Sequence, residues 1–278
     1  MLGVLSDPAD TAPTLRVPTT TPEATIQACL AFFAEHAPAQ GYAAFGIASF
    51  GPVELDRLSP RWGHITDTPK PGWRDTDLTG PFAAAFHCPV GFDTDVNGAA
   101  LAEGLWGAGV GAQVATYVTV GTGIGGGLLV DGQPVHGHRH PEMGHYLPAR
   151  HPRDDYVGGC PYHGACLEGL ANGPSVIARW GASLSDLPQD HEGHEIIAWY
   201  LAQAVVAQQA LLSPSRIVMG GGVMQTPGLI GRVREAAARI GNGYFCAAAD
   251  YERIVVEPGL GTRSGLLGAL ALAIAAGR

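Results

Sequence analysis

Lysine is nearly missing from this chain. Lys70, in Thr-Pro-Lys-Pro-Gly-Trp, is the only one in 278 residues. A P-loop needs Gly-Lys-Ser/Thr at the end of a glycine-rich turn, so P-loop nucleotide hydrolysis is excluded. Positive charge is scarce altogether, with 16 Lys and Arg against 25 Asp and Glu and a net charge of −9. Nucleic acid calls for a basic face, so no nucleic-acid partner is expected. Long apolar runs are also lacking. None reaches the roughly 18 residues of a membrane span, and the longest, at 266–276, reads as a buried helix, so no membrane partner is expected. Residues 1–16 carry neither a basic n-region nor an apolar h-region and do not read as a signal peptide. Five cysteines, an odd number, do not form a disulfide framework and point to a reducing, cytoplasmic setting.

What the chain does have is glycine, 40 residues of it, within a 46% hydrophobic composition that can core one large domain or two lobes. The densest patch is central. A β-branched run at 114–120 reads as a buried strand, and Gly121, Thr122, Gly123, Gly125, Gly126 and Gly127 follow it. A second apolar run ends in Asp131-Gly132, a strong turn signal, before a third strand at 133–135. Gly121-x-Gly123-x-x-Gly126 matches the dinucleotide fingerprint on paper, but that motif needs a helix after its glycines and here a hairpin follows. Two readings of the loop stay open, a backbone cradle for phosphate and a tight hairpin turn.

Around it, the pattern predicts alternating strands and helices. Thr21-Pro22-Glu23 starts a helix to about His36 with an Ile26, Leu30, Phe33 stripe. A strand covers 43–49. The Pro-, Gly- and Trp-rich stretch 58–77 is a loop, either a sugar-binding surface using Trp62 and Trp73 or a surface loop pinned by its prolines. A strand at 89–93 runs into a helix opened by Thr94-Asp95-Val96-Asn97. Asp95 is a helix cap or a general base, with the helix dipole expected to lower its pKa. Helices are expected at 167–180, broken by Pro174, and at 194–212. A strand at 216–219 then runs into Gly220-Gly221-Gly222, a second turn where backbone can approach a nucleotide. Thr226-Pro227 caps a helix to about Ile240, followed by a strand at 254–256 and a helix at 262–276.

Cys160-x-x-His163-x-x-Cys166 packs three soft ligands into a Gly/Pro-rich turn. His145 upstream completes a Cys2His2 set of the kind that holds structural zinc, with His138 and His140 as alternative fourth ligands.

Together, Ser49-Phe-Gly-Pro52, Thr68-Pro-Lys-Pro-Gly-Trp73, Asp95-Val-Asn97, the glycine hairpin, His140-Pro-Glu-Met-Gly-His145, the Cys160–Cys166 knuckle and Gly220-Gly-Gly-Val-Met224 resemble the ROK family of sugar kinases, in its bacterial zinc-containing fructokinase branch. The match runs from about residue 17 to the end. It implies an α/β, two-lobed actin-like ATPase (ribonuclease H-like) fold, with one lobe over 1–109 joined by the C-terminal helix at about 262–276, and the other over 110–261. It implies transfer of the γ-phosphoryl group of ATP, with Mg2+, to the 6-hydroxyl of fructose, in a cytoplasmic homodimer. By position Asp95 is the base, and Glu142, His145 and Glu168 meet the sugar. Gly121, Thr122 and Gly123 take the ATP phosphates, and Gly220, Gly221, Gly222, Val223 and Met224 the adenosine side. His145, Cys160, His163 and Cys166 hold a structural zinc. The departure is at the front, where residues 1–16 lack the Gly-Thr-Lys phosphate hairpin with which family members open. The expectation is therefore a start upstream of Met1 or a truncated copy. The competing functions are a zinc-stabilised sugar-binding relative with weak or no activity, and a kinase for mannose or glucose.

Overall fold

The computed structural model describes residues 1–10 and 14–278. In chain order its elements are β1 (Leu2–Gly3), β2 (Thr14–Leu15), α1 (Pro22–Glu35), β3 (Phe45–Ser49), α2 (Gly80–Phe86), β4 (Val90–Thr94), α3 (Asp95–Trp106), β5 (Val114–Val120), β6 (Ile124–Val130), β7 (Gln133–Pro134), α4 (Leu167–Ala171), α5 (Gly173–Trp180), α6 (Gly193–Leu212), β8 (Arg216–Gly220), α7 (Leu229–Gly241), α8 (Tyr251–Ile254), β9 (Val255–Val256) and α9 (Ser264–Ala276). The chain divides into unit 1 (Met1–Ala102, His136–His140 and Thr262–Arg278) and unit 2 (Glu103–Val135 and Pro141–Gly261). The first crossing falls inside α3 rather than near residue 109, and His136–His140 sorts with unit 1.

In unit 1, Thr21 caps α1 by accepting the Ala24 N–H at 3.3 Å, and Phe32 and Phe33 are buried beneath the helix. Strands β3 and β4 pair in parallel from Phe45 opposite Val90 to Ser49 opposite Thr94. Helix α9 lies against both, and the approach is closest where the strands carry glycine. A Cβ at Gly46 would fall 1.7 Å from the Ala269 carbonyl oxygen, and one at Gly91 2.1 Å from that of Leu272. The first residues contain no Gly-Thr-Lys turn. Where no element was expected, Leu2–Gly3 pairs antiparallel with Thr14–Leu15, in a two-stranded ladder separate from β3–β4. Residues 11–13 of that lead lie outside the described residues.

The 58–77 stretch is irregular, and its polar groups serve the loop itself. Arg61 pairs with Asp75, and Asp77 accepts the N–H groups of Thr79 and Gly80, both at 2.9 Å, at the start of α2. Trp73 is 2% exposed and donates its indole N–H to the Thr20 carbonyl at 2.9 Å. Trp62 stacks against Phe92 and under the Arg57 guanidinium. These contacts favour the pinned loop over a pair of open sugar-covering rings.

In unit 2 the five-stranded sheet has the order β7-β6-β5-β8-β9, antiparallel on the β6 side of β5 and parallel on the β8 side. Asp131 and Gly132 both adopt positive φ (50° and 74°), the conformation of a tight two-residue hairpin turn. Helices α6 and α7 cover the sheet, and Ile197, Leu201, Val205 and Leu229 are wholly buried there. At 20 residues α6 is longer than the apolar run expected at 266–276, and is long and apolar enough to cross a membrane, yet its apolar face fills this core. Two boundaries differ from expectation. Helix α7 begins at Leu229 after Gly228 at φ 77°, not at the Thr226-Pro227 cap. The α4–α5 break falls at Asn172, two positions before Pro174, because the Asn172 side chain caps α5 by accepting the Ser175 N–H at 2.8 Å.

Because α9 seats on strand glycines, a methyl group at Gly91 has nowhere to go. Gly91→Ala is expected to destabilise the protein by about 1–3 kcal/mol, the usual cost of overpacking a close contact. A urea midpoint equal to that of the wild type would show that α9 can be displaced freely.

Candidate functional site

The glycine hairpin of unit 2 is held by its carbonyls. The Gly121 oxygen accepts the Gly173 N–H at 2.8 Å, and the Gly123 oxygen accepts the Gly121 N–H at 2.9 Å. The Thr122 oxygen accepts Nδ2–H of Asn172 at 2.9 Å, and the Ile124 N–H donates to Oε2 of Glu168 at 2.9 Å. Among the described residues, the N–H groups of Thr122 and Gly123 take no protein partner. Free N–H groups on a glycine loop are what an anion cradle draws on.

A pocket of about 450 Å³ opens beside this hairpin, lined among others by Gly121, Thr122, Gly173, Gly222 and Val223. The two glycine turns singled out in the sequence therefore meet at one pocket. Gly221 sits at φ 96° with its Cβ position 2.4 Å from the Val120 carbonyl oxygen, so only glycine fits between the strands there. Gly220 faces the Tyr117 hydroxyl, and Met224 is in the core, so neither lines the pocket. Ile177, Ser183, Leu184 and Thr226 complete its wall. Apart from Thr226, which the sequence marks only as a helix cap, none of these has a motif signal, since folding alone brings α5 and the turn after it to the glycines.

In unit 1, β4 delivers Asp95 to the first position of α3. The cap itself is Thr94, whose Oγ1 accepts the Asn97 N–H at 3.1 Å, and this leaves the Asp95 carboxylate available. Its Oδ1 accepts the Val96 N–H at 2.9 Å. Asp95 lies at a cavity of about 500 Å³ that Ser49, Phe50 and Trp73 also line. Although Asp95 is exposed, the protein atoms packed around its carboxyl desolvate it and push its pKa up to about 6, against the lowering effect of the Val96 and Asp95 N–H groups. The direction is opposite to the lowering expected from the helix dipole, with desolvation the largest cause. The side chain is in contact with solvent, so protein atoms crowd it without sealing it off.

Behind Asp95, Asp93 is 3% exposed. Its Oδ1 accepts from the Thr94 N–H and from Asn97 Nδ2–H, each at 2.7 Å, and its Oδ2 pairs with His136 Nε2 at 2.9 Å. The hydrogen bond to Asp93 raises the His136 pKa, partly offset by burial. Asn97 is wholly buried and its Oδ1 has no partner among the described residues.

The four expected metal ligands meet in unit 2. One ligand atom from each of His145, Cys160, His163 and Cys166 lies within 4.8 Å of the others. His145 Nδ1 is 3.8 Å from Cys160 Sγ and 3.6 Å from Cys166 Sγ, and His163 Nδ1 is 3.7 Å from Cys160 Sγ. Tetrahedral Zn2+ with Zn–S of about 2.3 Å and Zn–N of about 2.0 Å needs S···N edges of roughly 3.5 Å, so the donor set fits. Burial lifts the Cys166 thiol to about 11, so holding it as a thiolate ligand calls for a cation beside it. His140 instead takes the Val53 N–H at 3.2 Å in unit 1, and His138 is outside the cluster, which leaves His145 as the fourth member.

Glu142 precedes the short turn Met143–His145, whose Gly144 presses against β6 with its Cβ position 1.9 Å from the Ile124 carbonyl oxygen. Glu168 lies in the first turn of α4, directly after Cys166, whose Sγ caps that helix by accepting the Gly169 N–H at 3.5 Å. Knuckle, α4 and glycine hairpin are therefore one connected assembly.

Comparison with known proteins places these features in context. The ROK family model matches residues 2–276. A fructokinase of Zymomonas mobilis is 57% identical over 266 residues, covering 94% of this chain and 88% of that protein. A putative fructokinase of Bacillus subtilis is 41% identical over 262 residues, covering 93% and 86%. Among solved structures, a ROK hexokinase from Thermus thermophilus superposes with a TM-score of 0.75 at 27% identity, covering 94% of this chain and 89% of that one. A Streptomyces griseus ROK glucokinase in complex with glucose and AMPPNP superposes at 0.74 with 23% identity, covering 98% and 95%, and bears on the fold alone.

If Asp95 must be ionised to act, activity should fall with acid. Below its pKa the carboxyl holds the proton it would need to accept, so log kcat/KM should drop with unit slope below about pH 6. A profile flat down to pH 4.5 would remove Asp95 from any proton-accepting role.

Proposed function

The chain belongs to the ROK family and is a hexose kinase with the actin-like ATPase fold, and on that premise we propose that it phosphorylates D-fructose at the 6-hydroxyl with ATP. The products are ADP and fructose 6-phosphate. The observation that carries the reading is Asp95, a solvent-exposed carboxylate that the end of β4 sets at the first position of α3 beside a cavity, in a chain 57% identical to a fructokinase.

In the proposed reaction an Asp95 carboxylate oxygen accepts the proton of the sugar 6-hydroxyl. The sugar's 6-oxygen, relieved of its proton, forms a bond to the γ-phosphorus, the bond from phosphorus to the β,γ-bridging oxygen breaks, and ADP departs with its electrons. A base of pKa near 6 suits this, because the hydroxyl gives up its proton late in a loose transition state. The free N–H groups of Thr122 and Gly123 receive phosphate oxygens, and Gly222 and Val223 flank the nucleoside. Mg2+ enters as the ATP chelate and neutralises charge on the β- and γ-phosphates.

Glu142, His145 and Glu168 bind the sugar in this reading. Only Oε2 of Glu168 is engaged by Ile124, which leaves Oε1 for a hydroxyl. The His145 ring turns Nδ1 toward the cysteines and keeps Nε2 for the substrate. A metal-fixed imidazole is a rigid hydrogen-bond donor. Zinc is structural here and takes part in no step. The five free thiols fit a reducing, cytoplasmic setting.

A coupled ADP-release assay with fructose, mannose and glucose tests the proposal on the wild type and Asp95→Asn. Fructose should give the highest kcat/KM, and Asp95→Asn should lower kcat by about 100-fold or more, within the range of general-base contributions. No turnover with any hexose would favour a sugar-binding relative, preference for mannose or glucose would reassign the substrate, and undiminished Asp95→Asn turnover would remove the base.

A further inference from the structure

Asn172 does two jobs with one amide. Its Oδ1 accepts the Ser175 N–H at 2.8 Å and caps α5, while its Nδ2–H donates to the Thr122 carbonyl at 2.9 Å. The next residue, Gly173, donates its N–H to the Gly121 carbonyl at 2.8 Å. A trans peptide is planar, with its C=O and N–H pointing in opposite directions. Anchoring the Gly121 carbonyl therefore turns the Thr122 N–H away from the α4–α5 junction. Anchoring the Thr122 carbonyl does the same for the Gly123 N–H. These two hairpin N–H groups take no protein partner among the described residues.

We propose that Asn172 is a positioning residue for nucleotide phosphate, setting the Thr122–Gly123 peptide so that its N–H faces the anion. The inference rests on the reading that the hairpin receives ATP phosphates. Asn172 touches no reacting atom; it acts through the Thr122 peptide. Without its donor that peptide is free to rotate, and part of the cradle must be ordered again at each binding event. The Gly173 bond is made by backbone and survives any Asn172 substitution, so the loss is partial. The same amide links α5 to the hairpin, so the cap and the cradle are built together.

The two roles of the side chain separate cleanly in mutants. Asn172→Asp keeps the oxygen that caps α5 but sets a second oxygen against the Thr122 carbonyl. Asn172→Ala removes both the cap and the donor. If the cap were all that mattered, Asp would behave like wild type and Ala would be the worse variant. If the peptide anchor matters, Asp is the worse variant for ATP although its melting temperature stays near wild type.

The experiment measures KM for ATP and for fructose, and equilibrium binding of ATP and of adenosine, on the full chain with its metal content checked. It is run at low salt and at about 1 M salt, where bare charge repulsion is screened. The expected result is a fivefold to tenfold rise in KM for ATP in Asn172→Ala, the size of one lost hydrogen bond. Asn172→Asp should show a larger rise that persists in high salt, with KM for fructose and affinity for adenosine unchanged in both. Wild-type behaviour of Asn172→Asp, or parallel weakening of ATP and adenosine, overturns the proposal. A wild type that binds adenosine as tightly as ATP would instead overturn the phosphate reading of the hairpin beneath it.

Discussion

The five-residue helix α4 is short enough to overlook, yet its two ends fasten the parts of unit 2 that the chemistry needs. At one end Cys166 caps the helix and belongs to the His/Cys cluster that could hold a metal ion; at the other Asn172 and Gly173 grip the glycine hairpin. Between them Glu168 reaches the Ile124 N–H. Glycine loops are floppy when left alone, since their backbones have more conformations to lose than any others. Here every hairpin carbonyl from Gly121 to Gly123 has a donor, and that fixes the loop without a bulky side chain near an incoming phosphate.

Unit 1 answers a different problem, which is how to keep a carboxylate basic at a helix start. Thr94 takes over the capping duty, so the Asp95 carboxylate engages only the adjacent N–H groups, those of Val96 and of Asp95 itself. Crowding by the cavity walls then raises its pKa to about 6. Asp93, its near neighbour, is deeper but fully engaged by Thr94, Asn97 and His136, so the two acids divide into one that reacts in our account and one that braces. Seating α9 on the glycines of β3 and β4 holds the strand that delivers both.

Much of this was legible in the chain because the signals were local and chemically loaded. The 114–135 hairpins, the Asp131-Gly132 turn and the Cys160–Cys166 spacing are short-range patterns, and the structure reproduces them. The direction of the Asp95 pKa shift is not legible locally, because the helix dipole is visible in sequence while crowding by residues distant in the chain is not. Asn172 was passed over because Pro174 drew the helix break to itself, although Asn-Gly-Pro is a sound cap signal. Trp73 in the 58–77 loop was open to two readings, since aromatic residues look alike in sequence whether they cover a ligand or anchor to a carbonyl. The short pairing of β1 with β2 has no periodicity to detect, being two residues on each side.

The central claim is that the metal knuckle, through α4, holds the glycine hairpin in its phosphate-binding form. Amide hydrogen exchange at Thr122–Ile124, measured with zinc content on the same sample before and after chelation, tests it most directly. The account predicts one zinc per chain and, on its removal, faster exchange at the Ile124 N–H that Glu168 holds, while the remote β8 core stays protected. A metal-free protein with slow exchange at Ile124, or zinc loss that leaves the hairpin unchanged, would contradict it.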